Sequence, residues 1–558
     1  MIKRDSWSPA DGLVLEPNAL RAVRETNGCL ALTAGPGAGK TEMLAQRADF
    51  LLRTGTCRYP SRILAISFKV DASRNLKDRV RKRCGQDLAV RFDSYTFHAF
   101  AKRIIDRFRP VLTGLDALDP DFKIGDRRIE RSQIEFGDLI PLAIQILRVS
   151  QVARAAIRKT YSDVFLDEFQ DCTDQQYQLV QLAFQGAGLR LIAVGDTKQR
   201  IMSWAGALEG IFSKFASDFQ ATPLNLYLNF RSQPTLLRLQ NDIIRVLDPA
   251  SMMPDEQISG EGGEVMVHGF DTAQAEAEYL ADQIEQWIKV DGVPLSEIAV
   301  LVSKQLDLYA SLLIEELERR KIPHRNEQKM QDISTEPAAR LIVDYLLCLC
   351  GSREPEAWLR LMDLLIPFSD QFDQERLQQD WLAFIKSERS AVALLDEVKV
   401  DWPTAWDFVL SFLKKVGVAN LTSLSPDYES STRLNEVLVE TRDRLKELSG
   451  VEPNLLQVLA RFSDDFAIRI LTIHKSKGLE FESVIIMAVE NQIFFGNPDE
   501  NRCAFFVGVS RAKSKLLLTF AENRERPEGW AKRWDVHRDA QSEYLGYARP
   551  YTNQPLDS

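Results

Sequence analysis

The sequence predicts an α/β protein of two parallel-sheet domains, each interrupted by a mainly helical insertion, and three features carry that prediction. First, short β-branched and aliphatic runs alternate with longer helical patterns, the way strands joined by crossover helices read. Second, the runs fall into two series, 29–33, 63–68, 164–166 and 189–194, then 265–270, 298–302, 468–473, 484–489 and 515–520. Third, two long stretches, about 102–159 and 336–452, carry amphipathic helical patterns and few strand-like runs; 357–365 and 432–448 are examples.

Taken in order, the first domain is expected over 1–101 and 155–215, with a short helical insertion at 102–154. The second domain is expected over 216–335 and 453–525, with a helical insertion at 336–452, and 526–558 reads as a polar C-terminal tail. A length of 558 residues fits three or four folding units at roughly 150 residues each. Hydrophobic residues at 45% and charged residues at 27% exclude a disordered or fibrous chain. No apolar run approaches the roughly 18 residues of a membrane span, and the first residues lack the apolar core of a secretory signal, so a cytoplasmic protein with no membrane partner is expected. The seven cysteines are scattered with no CxxC pair, which supports neither a zinc ribbon nor a disulfide framework. A net charge of −10 would ordinarily count against a nucleic-acid binder, but it is an average over local patches. Arg74, Lys77, Arg79, Arg81, Lys82 and Arg83 form one such patch, readable as a phosphate-backbone track or as a solvated helix face.

The strongest motif is Ala34-Gly35-Pro36-Gly37-Ala38-Gly39-Lys40-Thr41, lying between a strand and a helix. Glycines let such a loop wrap phosphates with inward N–H groups, and the following helix N-terminus adds partial positive charge. Lys40 would reach β- and γ-phosphate oxygens, and the Thr41 hydroxyl would ligate Mg²⁺. A second element, Val164 to Asp171, is an apolar strand ending in Asp167 and Glu168. Asp167 could hold Mg²⁺ and Glu168 could polarise an attacking water; a solvated acidic turn is the plainer alternative for this segment alone. The third element, Leu191 to Gln199, is another apolar strand whose polar end carries Gln199, a neutral group able to sense a γ-phosphate. In this order the three elements point to nucleotide hydrolysis.

Further along, Ile63 to Phe68, Thr96 to Phe100, Asp167 to Asp171, Gly195 to Ala207, Asn229 to Ser232, Thr472 to Phe481 and Phe506 to Lys513 complete an ordered set. With it the sequence resembles the UvrD/Rep-like helicases of superfamily 1A over about 15–520. The resemblance implies two RecA-like domains (1A and 2A, with insertions 1B and 2B), ATP as substrate, Mg²⁺ as cofactor, and 3′-to-5′ translocation on single-stranded or partly duplex DNA. It assigns Lys40, Glu168, Gln199, Arg231 and Arg511 to catalysis, with Arg231 and Arg511 as arginine fingers. It places Phe230 on the base, Glu480 on the ribose, and Phe68, His98, Trp204 and His474 on the DNA. Ordinary core packing is the competing reading for Phe68 and Trp204, and a buried, hydrogen-bonded imidazole for the two histidines.

Four positions depart from the family pattern. Ala19 stands where the family carries an adenine-reading glutamine, with Asn18 beside it, and Glu42 stands where an arginine often lies against the base. A base sandwich reduced to Phe230 implies relaxed nucleotide preference or weak nucleotide affinity. In the segment after Gln199, Met202 and Ala205 replace an aromatic and an arginine. Two functions therefore stay open: a DNA translocase and helicase, in repair or in antiviral defence, or a DNA-responsive NTPase switch subunit working beside a nuclease partner.

Overall fold

The computed structural model describes residues 2–552 apart from 69, 126, 200–207, 209, 327–332, 335, 352–353, 367–370, 394–401, 426–427, 429–430, 452–453, 464–466, 528–529 and 531–532. Two six-stranded sheets organise it. The first contains β1 (Leu30–Ala34), β2 (Arg62–Ser67), β3 (Phe92–Thr96), β6 (Tyr161–Leu166), β7 (Arg190–Gly195) and β8 (Thr222–Leu226), in the spatial order β3-β2-β6-β7-β1-β8. The second contains β9 (Glu264–Thr272), β10 (Ile298–Val302), β11 (His324–Asn326), β12 (Ile468–Thr472), β13 (Phe481–Ile486) and β14 (Ala512–Asn523), in the order β11-β12-β10-β13-β14-β9. Every pairing within both sheets is parallel. Parallel sheets covered on both faces need strands apolar on both sides, and β10, with all five residues buried, meets that condition.

The first sheet separates two cores. One face gathers Trp7, Leu44, Phe50 and Phe92; the other gathers Phe97, Phe100, Leu142, Ile146 and Phe169. The second sheet has a single core that includes Trp287, Val300, Phe505 and Leu517. The insertion after residue 336 builds a core of its own, in which Tyr345 and Phe412 stack at 4.1 Å. Among the described residues it is wholly helical from Pro337–Cys350 to Leu455–Ser463.

The structure corrects the expected partition. The boundaries at 101/102 and 154/155 fall inside helices Phe97–Phe108 and Gln151–Thr160, so the first insertion grows out of domain helices. That insertion is not purely helical, since β4 (Leu118–Ile124) and β5 (Arg131–Ile134) pair within it. The first domain runs on to β8 at Leu226, and the second insertion to Ser463, because Val458, Leu459 and Phe462 lie in the insertion's core. The segment from 526 onward is no loose polar tail. Trp534 donates its indole N–H to the Arg524 carbonyl at 2.9 Å, Arg538 lies over the Trp534 ring, and Tyr544 stacks on Phe505 at 4.5 Å. Beneath it Arg524 is 3% exposed and bonded to Glu276 and Glu490. A buried arginine is tolerated only when its donors are met, and here two carboxylates from separate elements meet them.

Candidate nucleotide and nucleic-acid site

The glycine loop leaves β1 at Ala34 and enters helix Lys40–Arg53. Gly37 and Gly39 take φ of +68° and +73°, a region side chains other than glycine occupy at a cost. Gly37 is required twice over, because a Cβ there would lie 2.1 Å from Asn229 Oδ1 and 2.7 Å from Arg231 Cβ. Phe230 donates its N–H to the Gly37 carbonyl at 2.9 Å. The segment 229–231, which follows the last strand of the first sheet, is thus laid directly on the loop. Lys40 Nζ lies 3.4 Å from the carbonyls of Ala34 and Gly35, a cation folded across the loop. Thr41 occupies the first turn of the helix.

Asp167 follows β6 and is 5% exposed. Burial first, and the Glu168 charge second, push its carboxyl up to about 7 against the opposing pull of Lys40. Glu168 has a left-handed φ of +51°, a strained conformation of the kind that collects at functional sites. A continuous chain of hydrogen bonds starts from it. Gln170 donates to Glu168 Oε2 at 2.6 Å and accepts the Asp196 N–H at 3.0 Å. Asp196 accepts from Gln199 Nε2 at 2.9 Å, and Gln199 Oε1 accepts from Arg511 Nη2 at 3.2 Å. Gly195 makes the second link possible, since a Cβ there would sit 2.1 Å from Gln170 Oε1.

From the second sheet, Arg511 is 1% exposed and also donates to the carbonyls of Val507 and Leu479. Burial, and after it the Arg231 charge, disfavour its own charge. Lys477 crosses the cleft, its Nζ 2.7 and 2.9 Å from the Asp171 carboxylate oxygens and 2.8 Å from the Gln199 carbonyl. Arg231 pairs with Glu480 at 2.8 Å and with the Ser510 carbonyl at 3.1 Å. Phe230 stands 64% exposed over the loop.

The structure therefore brings Lys40, Thr41, Asp167, Glu168, Gln199, Arg231, Phe230, Glu480 and Arg511 to one cleft. Glu480, expected at a ribose, is engaged with Arg231. Ala19 is buried in helix Pro17–Arg24, and Asn18 bonds the Asn225 carbonyl. Glu42 is held by Arg83 at 2.8 and 3.0 Å, by Gln46 at 2.8 Å and by Arg79 at 3.4 Å. Against the cost of burial these partners keep its carboxyl below the usual range. That arrangement takes Arg79 and Arg83 out of the basic run as candidates for a phosphate-backbone track, because both are engaged by Glu42.

The candidate DNA residues lie just beyond the C-terminal ends of strands, where ligands bind parallel sheets. Phe68 follows β2, His98 follows β3 and His474 follows β12, each half-buried. The His98 ring lies 4.4 Å from that of Phe136, and burial pushes the imidazole down to about 4. Burial, then Lys304, lower His474 as well. Trp204, with Met202 and Ala205, lies outside the described residues. Sequence reasoning missed Gln170, Asp171 and Lys477 as network members, although all three sit inside quoted motifs. It also missed the pair beyond the C-terminal end of β10, where Lys304 Nζ lies 3.9 Å from the centroid of the exposed Phe495 ring. No signal marked that pair, since Lys304 and Phe495 are 191 residues apart.

Comparison with known proteins agrees with this geometry. The family model described as UvrD/REP helicase N-terminal domain matches 15–133 and 123–220, and the UvrD-like helicase C-terminal domain matches 224–388 and 417–523. The chain is 24% identical to the ATP-dependent DNA helicase PcrA of Leuconostoc citreum, over 90% of this chain and 81% of that protein. It is similar to the same helicase of Staphylococcus epidermidis (23%, over 90% and 83%) and of Staphylococcus aureus (24%, over 90% and 82%). Among the described residues, no single helix is long and apolar enough to cross a membrane.

Proposed function

The chain belongs to the UvrD/Rep-like helicases and is an ATP-dependent DNA helicase, and from that premise we propose that it translocates 3′ to 5′ on single-stranded DNA, with nucleotide closing the cleft between its two RecA-like domains. One observation carries the reading. Arg511 and Lys477 of the second domain reach Gln199 and Asp171 of the first at 3.2 and 2.7 Å, so both domains share one buried polar network at the nucleotide loop. A triphosphate that draws Arg511 and Arg231 onto its γ-phosphate must repack that network, and its hydrolysis must release it.

The residues present fit Mg²⁺: a hydroxyl at Thr41 and a buried carboxylate at Asp167, with phosphate oxygens and water to complete the shell. When bound, the ion would neutralise charge on the β- and γ-phosphates. Lys40 would bind the phosphates, and Glu168, held by Gln170, would orient the attacking water. DNA would cross the strand ends carrying Phe68, His98 and His474, with Phe495 offering a further exposed ring for stacking. Base recognition rests on Phe230, since Ala19 is buried and Glu42 is committed to Arg83, which supports a relaxed choice among nucleoside triphosphates.

Strand displacement with 3′- and 5′-tailed duplexes tests the polarity, and unwinding of the 5′-tailed substrate alone refutes it. Hydrolysis without displacement on either substrate would move the chain to the role of a DNA-responsive switch beside a partner. Equal hydrolysis of ATP and GTP is expected, and strict ATP preference would overturn the relaxed-base reading.

A further inference from the structure

We propose that Glu16 is a positioning residue for hydrolysis: its carboxylate fixes the backbone of 227–231 so that Phe230 and Arg231 reach the nucleotide together. Glu16 precedes helix Pro17–Arg24, yet its side chain makes no capping bond to that helix. Instead Oε2 accepts the Leu228 N–H at 2.9 Å. The residue is 6% exposed. Burying a carboxylate is costly unless hydrogen bonds meet it, so this one is retained for what it holds.

What it holds is the crossover between domains. β8 ends at Leu226, and within the next five residues the chain must present Phe230 over the glycine loop and turn Arg231 toward Ser510. Two further ties fix the start of that path: Asn18 donates to the Asn225 carbonyl at 2.7 Å, and Thr33 bonds the Asn225 side chain. Past Glu16, the Phe230 N–H bonds Gly37, and Asn229 Oδ1 accepts the Arg231 N–H at 2.8 Å. Glu16 is the ionic member of this series and lies midway along it. A charge-assisted bond to backbone N–H is about twice as strong as a neutral one, and functional groups need supports that hold them within about 0.5 Å. With Ala19 in place of a base-reading residue, this N-terminal segment serves the nucleotide through the crossover rather than by touching it.

The inference rests on Phe230 and Arg231 being nucleotide ligands, so the test separates the two ideas. Steady-state ATP hydrolysis on saturating single-stranded DNA is measured for wild type, Glu16→Ala, Glu16→Gln, Phe230→Ala and the Glu16→Ala/Phe230→Ala pair. Loss of the tie should raise the ATP KM by about tenfold and lower kcat severalfold in Glu16→Ala. Glu16→Gln, which keeps one acceptor oxygen, should fall between, and it serves alone should Glu16→Ala not fold. The double variant should show a KM no higher than that of Phe230→Ala, because Glu16 acts through the segment Phe230 rides on. Multiplying KM effects in the double variant, or wild-type KM in a folded Glu16 variant while Phe230→Ala is impaired, would overturn the proposal. Wild-type KM in Phe230→Ala would instead remove the base-site assignment and the proposal with it.

Discussion

The two halves of the nucleotide cleft are built on different principles. The first-domain half is made of loops fixed at strand ends: the glycine loop on β1, Asp167 and Glu168 beyond β6, Asp196 and Gln199 beyond β7. Its groups are held mainly by neighbours in the same domain, with Gln199 also bonded by Arg511 and Lys477, and glycine at 37 and 195 gives room for the closest approaches. The second-domain half is three long cations, Arg231, Lys477 and Arg511, resting on acceptors at 2.7 to 3.2 Å, several of them across the cleft. A rigid half can bind; a half made of reassignable cations can report whether anything is bound. Ground-state affinity should therefore live mainly in the first half, and transition-state stabilisation together with domain coupling in the second.

The largest effects test that division directly. Lys40→Ala should abolish hydrolysis and weaken nucleotide binding while leaving DNA binding in place. Arg511→Ala should cut kcat by ~10³-fold or more, the range for an arginine finger, with nucleotide binding still measurable. Equilibrium binding of a fluorescent ATP analogue beside a turnover assay distinguishes them. If both variants lose binding equally, the two halves are not separate and the comparison fails.

A middle-sized effect concerns the bridge itself. Lys477 and Asp171 are 8% and 4% exposed, and breaking one side of such a pair costs roughly 3–5 kcal/mol because the other charge is left buried. Lys477→Met should lower the thermal midpoint of unfolding, and Lys477→Met/Asp171→Asn should recover much of that loss while DNA no longer stimulates hydrolysis. Recovery of DNA stimulation in the double variant would show that the ion pair is structural support and not part of the coupling.

The same contrast explains what was legible in the sequence. The first half follows local rules, a glycine loop between strand and helix and acids at the end of an apolar strand, so Lys40, Thr41, Asp167 and Glu168 could be read from residues alone. Arg231 and Arg511 carry no local signature and were reached only through the family resemblance. The central strands were found because buried parallel strands are continuously apolar. β3 (FDSYT), β8 (TPLNL) and β11 (HRN) were missed because sheet-edge strands are short and polar and one carries proline. The C-terminal segment read as a tail because its anchors are single residues, Trp534 and Tyr544, whose aromatic partners Tyr309 and Phe505 lie far back in the chain. Glu42 and the basic run could not be matched from sequence, since the 37- and 41-residue separations are set by the packing of two helices.

The smallest effect sharpens the comparison at two histidines placed alike, His98 after β3 and His474 after β12. Burial alone pushes His98 down to about 4, whereas His474 is lowered by burial and then by the Lys304 charge, with Glu500 pulling the other way and Lys477 adding to the fall. Both imidazoles refuse a proton that the unfolded chain accepts near pH 6.5. Their contribution to stability is therefore full above that pH and is lost as pH falls through it. At pH 5.5, one unit below the unfolded value, His98 removes about 1.4 kcal/mol, less whatever solvent screens, and His474 acts in the same direction. His98→Phe, which keeps a ring against Phe136, should narrow the drop in thermal midpoint between pH 7.5 and 5.5, and His474→Phe should do the same. The two diverge in salt. A Debye length of about 3 Å at 1 M screens the lysine contribution at His474 but leaves desolvation at His98 untouched, so only the His474 difference should shrink between 0.1 and 1 M salt. Equal salt sensitivity at both positions would mean that the second-domain cations do not set the local field, and the contrast between a fixed half and a charged, movable half would lose its electrostatic basis.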